Sequence, residues 1–400
     1  MNLLKKIYCR TYQTIFRTIL PLLPYREPIL LNSNQEIINV LKQHEKSSVL
    51  LVTDRSIRNL QLTLSLENAI LEQKFKLTVY DETVPNPTTD NVAAALQLYQ
   101  ANECDCIIAF GGGSAMDCAK ATGARVARPK KTLSQMKGIL KVRKKIPLLI
   151  AIPTTAGTGS ETTLAAVITD STTRHKYAIN DFPLIPSYAA LLPHLTLGLP
   201  QHITATTGMD ALTHAIEAYI GRSTTKKTRA YAKLAVKDIF HYLPLAYQDG
   251  NNVNARTKML NAAYYAGIAF TQSYVGYVHA VAHSLGGKYN VPHGLANAVI
   301  LPYVLRKYGR KIYRKLWQLG IAANLFEQTT PYEVGAKLFI HKIEDMNQAM
   351  NIPTNLPEIK NQDIASLAKT AAKEANPLYP VPVLWTTKEL TEIYQAVKNG

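Results

Sequence analysis

The strongest constraint in this sequence is a change of rhythm. Up to about residue 194, short apolar runs alternate with helical periodicities; beyond it the helical pattern continues almost alone. Ser48–Thr53 (SVLLVT) ends at Asp54 and is followed by a helical stretch to about Gln73. A second strand, Leu77–Tyr80, leads to the doubly proline-punctuated turn Val84-Pro85-Asn86-Pro87, where neither a helix nor a central strand can continue. A helix over Asp90–Ala101 then precedes a third strand, Asp105–Phe110, which stops at three glycines before a helix over Ser114–Val126. A fourth strand, Pro147–Ile152, ends in a Gly/Thr-rich turn at 153–161. Strands that alternate with helices predict a mostly parallel, doubly wound α/β sheet. The basic stretch 128–145, with Pro129, Gly138 and no period, reads as a loop or frayed helix.

After the junction Pro193–Gln201 the pattern predicts helices over 203–220, 226–242, 254–272, 275–288 and 294–308. The expected organisation is a basic amphipathic extension over 1–27, an α/β dinucleotide-binding domain over 28–194 and an all-α domain over 195–400. A chain of 400 residues buries enough surface to fold without staples, so any metal would serve function. Four irregularly spaced cysteines exclude a secreted disulfide framework and fit a reducing, cytoplasmic setting.

The net charge of +17 is concentrated in three segments: +4 in residues 1–30, +9 in 125–145 and +6 in 301–319. No nucleic-acid module accompanies these clusters, so nucleic acid is not an expected partner, although a basic protein binding anionic surfaces is the non-enzymatic alternative. The opening segment carries a helical stripe of Leu3, Leu4, Ile7, Tyr8, Tyr12, Ile15, Phe16, Ile19 and Leu20 beside basic residues. Either it packs on the protein or a partner subunit, or it makes a peripheral membrane contact.

Gly111-Gly112-Gly113-Ser114 follows a strand and opens a helix, the setting in which backbone N–H groups receive a phosphate, though glycines there also serve a plain tight turn. Ser114 with Asp117 resembles a capping box, which makes Asp117 structural. Thr154, Thr155 and Thr158 add hydroxyls at the end of the next strand, on the sheet edge where ligands of open α/β sheets bind. Asp54 closes the first strand at that edge, either as a ribose acceptor favouring NAD over NADP or as a helix N-cap.

Four of the ten histidines fall in two windows. Asp210 and His214 are four apart on a helical segment, His279 and His283 are again four apart, and His293 sits in a Val-Pro-His-Gly turn. One carboxylate and three imidazoles without thiolates suit a divalent first-row ion, Fe, Zn or Co.

GGGSAMDCAK (111–120), PTTAGTGSE (153–161), GMDALTHAIEAYI (208–220) and HAVAHSLGGKYNVPHGLANAVILP (279–302) resemble the iron-containing (group III) alcohol dehydrogenases, from about residue 28 to the C-terminus. The resemblance implies Asp210, His214, His279 and His293 as ligands of Fe2+, with Zn2+ as the alternative, and His283 as the non-ligand histidine beside the nicotinamide. It implies cofactor contacts from Asp54, Asn86, Gly112, Gly113, Ser114, Thr154, Thr155, Thr158, Thr163 and Lys176, and metal and nicotinamide in a cleft between the domains. The implied activity is NAD-linked interconversion of a primary alcohol and its aldehyde; a homodimer is expected because symmetric dimers are the commonest assemblies of soluble enzymes. Glycerol- or polyol-type dehydrogenases of the same superfamily are the alternative; the Asp-x3-His and His-x13-His spacings disfavour their ligand sets. Two departures stand out. Leu192-Pro193 replaces a usual Asp-Pro, so the resemblance carries less weight for the cofactor wall near Leu191–Leu195, and Ser273, Tyr274 and Tyr277 replace small residues, which predicts a narrower or more polar substrate pocket.

Overall fold

A computed structural model describes residues 3–400, and the chain divides into two compact units. One is Pro24–Thr196; the other joins the described residues up to Leu23 to Leu197–Gly400. The N-terminal segment, whose Met1 and Asn2 lie outside the described residues, is therefore not a free-standing extension. It belongs with the helical unit as far as Leu23, and the α/β unit begins directly after it.

In the α/β unit the strands are β1 (Ile29–Leu31), β2 (Ser48–Val52), β3 (Lys76–Tyr80), β4 (Cys106–Gly111), β5 (Gly138–Ile139), β6 (Leu148–Pro153), β7 (Ala165–Thr169), β8 (Lys176–Asn180) and β9 (Tyr188–Ala190). Six form one parallel sheet in the order β1-β9-β6-β4-β2-β3. The central strands read as unbroken apolar runs because helices cover both faces. Val49, Leu51, Ile108, Phe110 and Ile150 join a core with Ile37, Leu41 and Ile70. Their strand neighbours Leu50, Val52, Ile107 and Ala109 point the other way, into a core with Met116 and Ala119. The β4–β6 register sets Gly111 opposite Pro153, so the glycine turn and the threonine turn leave the sheet side by side.

Two features depart from expectation. The basic stretch contains a turn of helix, Leu133–Met136, and β5, which joins β8 and β7 in a second, three-stranded sheet with β7 and β8 antiparallel. Asp181 pins the stretch by accepting from the Val142 and Arg143 amides, both at 2.8 Å. The helix expected from Asp54 to Gln73 is two, Arg55–Asn59 and Leu64–Glu72, interrupted where Gln61 takes a positive φ of 56°.

In the helical unit, no strand occurs among the described residues after Leu197. The expected helices form at Gln201–Ile220, Lys226–Gln248, Val253–Ser273, Tyr277–Tyr289 and His293–Tyr308, and helices not anticipated from the pattern follow at Tyr313–Ala322, Tyr332–Ala349, Asn361–Ala375 and Thr387–Asn399. Gln201–Ile220 is the central one: every residue from Gly208 to Ile220 is buried. Gly208 permits that approach, because a Cβ there would lie 2.4 Å from Leu243 Cδ1.

Candidate functional site

The buried Gln201–Ile220 helix carries Asp210 and His214 one turn apart, on the same face. His279 comes from Tyr277–Tyr289. His293 is the first residue of His293–Tyr308, with Pro292 as its N-cap, so the fourth group sits on a helix start rather than on a bend. One donor atom from each of Asp210, His214, His279 and His293 lies within 4.8 Å of every other. Asp210 Oδ1 is 3.5 Å from His293 Nε2 and 3.9 Å from His279 Nε2. Metal–ligand bonds of about 2.1 Å place neighbouring donors roughly 3.0–3.4 Å apart and opposed ones about 4.2 Å apart, so side-chain shifts of a few tenths of an ångström bring this set to the spacing of one ion's ligands. Asp210, His214 and His279 are buried, whereas the His293 side chain is 39% exposed, which leaves one open approach.

Electrostatics prepares His279 for that role. Burial, reinforced by the neighbouring His214, His293 and His283, holds its pKa well below the ordinary 6.5, so the ring is neutral. Its Nδ1 lies 2.7 Å from Glu217 Oε2 and donates there, leaving the Nε2 lone pair toward Asp210. Glu217 also accepts from the Gly276 and Val278 amides at 2.7 and 2.8 Å. Asn297, fully buried one turn after His293, donates from Nδ2 to Asp210 Oδ1 at 2.7 Å.

His283 stands beside this set. Its ring stacks on His293 at 5.2 Å between centroids, and its Nδ1 meets Glu374 Oε1 at 2.6 Å. The Tyr379 hydroxyl donates to the same Glu374 oxygen at 2.7 Å. Burial pushes the Glu374 carboxyl up, but the His283 charge and the hydrogen bonds from His283 and Tyr379 outweigh it and leave it below the ordinary 4.5.

In the α/β unit, Gly111 has φ 150° and lies so close to Ala115 that a Cβ would approach its Cβ to 2.8 Å. Gly112, not Ser114, is the N-cap of Gly113–Ala127; the capping box expected from Ser114 and Asp117 is absent. Asp117 instead receives Ser160 Oγ at 3.4 Å. Asp54 is the N-cap of Arg55–Asn59, accepting from the Ile57 amide at 3.0 Å, and its other oxygen lies 3.8 Å from where a Gly111 Cβ would stand. A Cβ at Gly112 would stand 3.7 Å from Thr155 Oγ1, and one at Gly113 would stand 3.2 Å from Thr158 Cγ2. The Thr154 amide donates to Gly111 O at 3.2 Å. Three expected cofactor residues are linked: Lys176 Nζ donates to Asn86 Oδ1 at 2.6 Å, and the Asn86 amide donates to Ser114 Oγ at 3.3 Å. Thr163 differs, since its hydroxyl turns to the fully buried Lys120 Nζ at 2.8 Å. That ammonium also donates to the carbonyls of Ser160, Thr163 and Ala165, clamping the threonine turn from beneath.

The model for the iron-containing alcohol dehydrogenases matches residues 31–193, and that for the C-terminal part of the Fe-containing alcohol dehydrogenase family matches 204–398. The chain belongs to the iron-containing alcohol dehydrogenase family. It is 37% identical over 363 residues to alcohol dehydrogenase 4 of Saccharomyces cerevisiae, covering 90% of this chain and 93% of that one. It is 34% identical to the NAD-dependent methanol dehydrogenase of Bacillus methanolicus, over 85% of this chain and 90% of that one. A solved 1,3-propanediol oxidoreductase superposes with a TM-score of 0.89 at 32% identity, covering 93% of this chain and 99% of that one.

Within this family member the two departures have structural readings. Leu192 is a core residue of the sheet, with Leu195, and not an exposed wall. Tyr277 is fully buried, stacked on Trp385 at 4.7 Å with its hydroxyl on Asn376 at 3.0 Å, and Ser273 is buried as well. Both pack in the helical core, and Tyr274 beside them is half-buried with a positive φ of 61°. Glu217, Asn297 and Glu374 were not singled out from sequence. Glu217 and Asn297 had a findable signal, three residues after His214 and four after His293 on the same helical faces. Glu374, 91 residues from His283, had none.

Proposed function

We propose that the protein interconverts a primary alcohol and its aldehyde by hydride transfer with NAD, using a divalent ion held by Asp210, His214, His279 and His293, with iron preferred and zinc the alternative. The observation that carries this reading is the convergence of four donors within 4.8 Å on three helices, three of them buried. Membership of the family makes the chain an oxidoreductase of the alcohol dehydrogenase class. When bound, the ion supplies Lewis-acid polarisation of the substrate oxygen and NAD supplies the hydride acceptor.

The chain's own residues do the rest. Glu217 keeps the proton of His279 on Nδ1, and Asn297 orients the Asp210 carboxylate. His283 takes the hydroxyl proton at Nε2 and passes it toward solvent, while ionised Glu374 on Nδ1 stabilises the imidazolium. Gly112, Gly113 and the amides beginning the helix at Gly113 receive the pyrophosphate, lined by Ser114, Thr154, Thr155 and Thr158. Asn86 and Lys176 flank it, Thr163 supports the turn from below, and Asp54 accepts from the ribose and repels a 2′-phosphate. The working form is read as a homodimer in the cytoplasm; symmetric dimers are the commonest assemblies, and the four buried, unpaired cysteines fit a reducing compartment.

Elemental analysis of protein purified without chelator, followed by NADH-coupled assay over a C2 to C6 aldehyde series, tests the reading. One iron or zinc per chain with aldehyde-dependent NADH oxidation is expected. Metal-free protein that still turns over would overturn it.

A further inference from the structure

We propose that the Leu3–Ile19 helix is a peripheral anchor that lays an outward-facing apolar side on an anionic lipid surface. The helix is mounted the wrong way round for a soluble protein. Its inward face is polar: Arg10 donates to the carbonyls of Val381 and Pro382 at 2.8 and 2.9 Å, and Gln13 Nε2 donates to Tyr379 O at 2.6 Å. Cys9, buried beside them, and Phe16, edge-on to Tyr274 at 5.1 Å, add apolar contact on that side. The stripe of Leu3, Leu4, Ile7, Tyr8, Ile15 and Ile19 points outward, with Leu4 77% exposed and Leu22, just beyond the helix, 82% exposed.

At 100° per residue these side chains fall in one sector of about 160°, which they share with the exposed Thr11, Thr14 and Thr18, and the exposed cations Lys5, Lys6 and Arg17 flank it on both sides. That is the layout of a helix lying in a membrane interface, with the apolar sector among acyl chains and the cations at headgroup level. The helix contains four basic residues and no acid. Charge decides between occupants. A second copy seated on the stripe would bring two basic, acid-free helices together, whereas an anionic lipid surface supplies the counter-charge. No described helix is long and apolar enough to cross a membrane, so the contact is in plane.

Flotation of the full chain with vesicles of phosphatidylcholine alone, or of phosphatidylcholine with 30 mol% phosphatidylglycerol, tests this at 0.1 M salt. Partition at least tenfold stronger onto the anionic vesicles is expected. Ile7→Asp with Ile15→Asp should abolish it, and Lys5→Gln with Lys6→Gln should weaken it roughly thirtyfold. The thermal midpoint of the Ile7→Asp/Ile15→Asp variant should stay at the wild-type value, since both side chains are exposed. Equal partition onto both vesicle types, or none, overturns the proposal. So does a halved molar mass for the Ile7→Asp/Ile15→Asp protein in sedimentation with no wild-type vesicle binding, which would assign the stripe to a second copy.

Discussion

Spacing alone singled out Asp210 with His214 and His279 with His283, because a four-residue interval on a helix puts both side chains on one face whatever the surroundings, and His293 stood out in its turn; the family resemblance then set His283 apart from the four candidate donors. Replacing His279 by Ala is expected to abolish metal retention and alcohol-dependent NADH formation while leaving NAD binding intact; normal turnover would refute the ligand role. Glu217→Gln turns one acceptor oxygen into an NH2 that must oppose either the Val278 amide or the Gly276 amide and His279 Nδ1–H, so metal affinity should fall by about 10- to 100-fold in a chelator competition. A third expectation concerns Glu161, which burial pushes from its ordinary 4.5 up to about 7. The folded state then holds this proton more tightly than the unfolded one. Its contribution is complete below pH 4.5 and is lost as pH rises through 7, worth on the order of 3 kcal/mol. Urea unfolding at stepped pH should show Glu161→Gln with a flatter profile than wild type over that window; parallel profiles would contradict the shift. In sequence, Glu161 and Glu217 look like any surface glutamate, since burial is a property of the packing around them.

Among elements, the long helices and the continuous central strands were legible because each carries its own periodicity. The two- and three-residue strands β5, β1 and β9 were not, for so few residues show no period and exist only by pairing with β8, β9 and β6. Helix starts have sharper local requirements. A Cβ on Gly294 would stand 2.4 Å from the Thr206 carbonyl oxygen, a backbone atom that cannot rotate away. Gly294→Ala should therefore cost about 1–3 kcal/mol in chemical unfolding and displace His293, lowering metal content. Gly287→Ala, in open space within Tyr277–Tyr289, is the control and should be neutral or stabilising by about 0.5–1 kcal/mol.

At the scale of the whole molecule, the chain divides between a unit bearing the glycine and threonine turns and a unit bearing the histidine cluster. Ligands that bind only folded protein stabilise what they touch, by about 2.7 kcal/mol at a hundredfold excess over Kd. Amide hydrogen exchange should then show metal protecting Gln201–Ile220 and Tyr277–Tyr289, and NAD protecting Gly113–Ala127. Protection by metal of the glycine-turn helix alone would contradict the assignment of sites. The N-terminal helix illustrates what pattern cannot convey at this scale: its stripe announced an amphipathic helix, but not that Arg10 and Gln13 would turn inward with Phe16 and leave Leu3, Leu4, Ile7, Tyr8, Ile15 and Ile19 outside.

Local chemistry thus sufficed for the two-part architecture, the glycine turn and the histidine windows from which the family resemblance drew four candidate metal donors, because periodicity and four-residue spacing act within a few turns of chain. The partners that tune those donors depended on folding: Glu217 reaches His279 across 62 residues, Asn297 reaches Asp210 across 87, and Glu374 reaches His283 across 91. Such contacts arise when helices pack and exclude water, and no short stretch of sequence encodes which distant side chain will be waiting there.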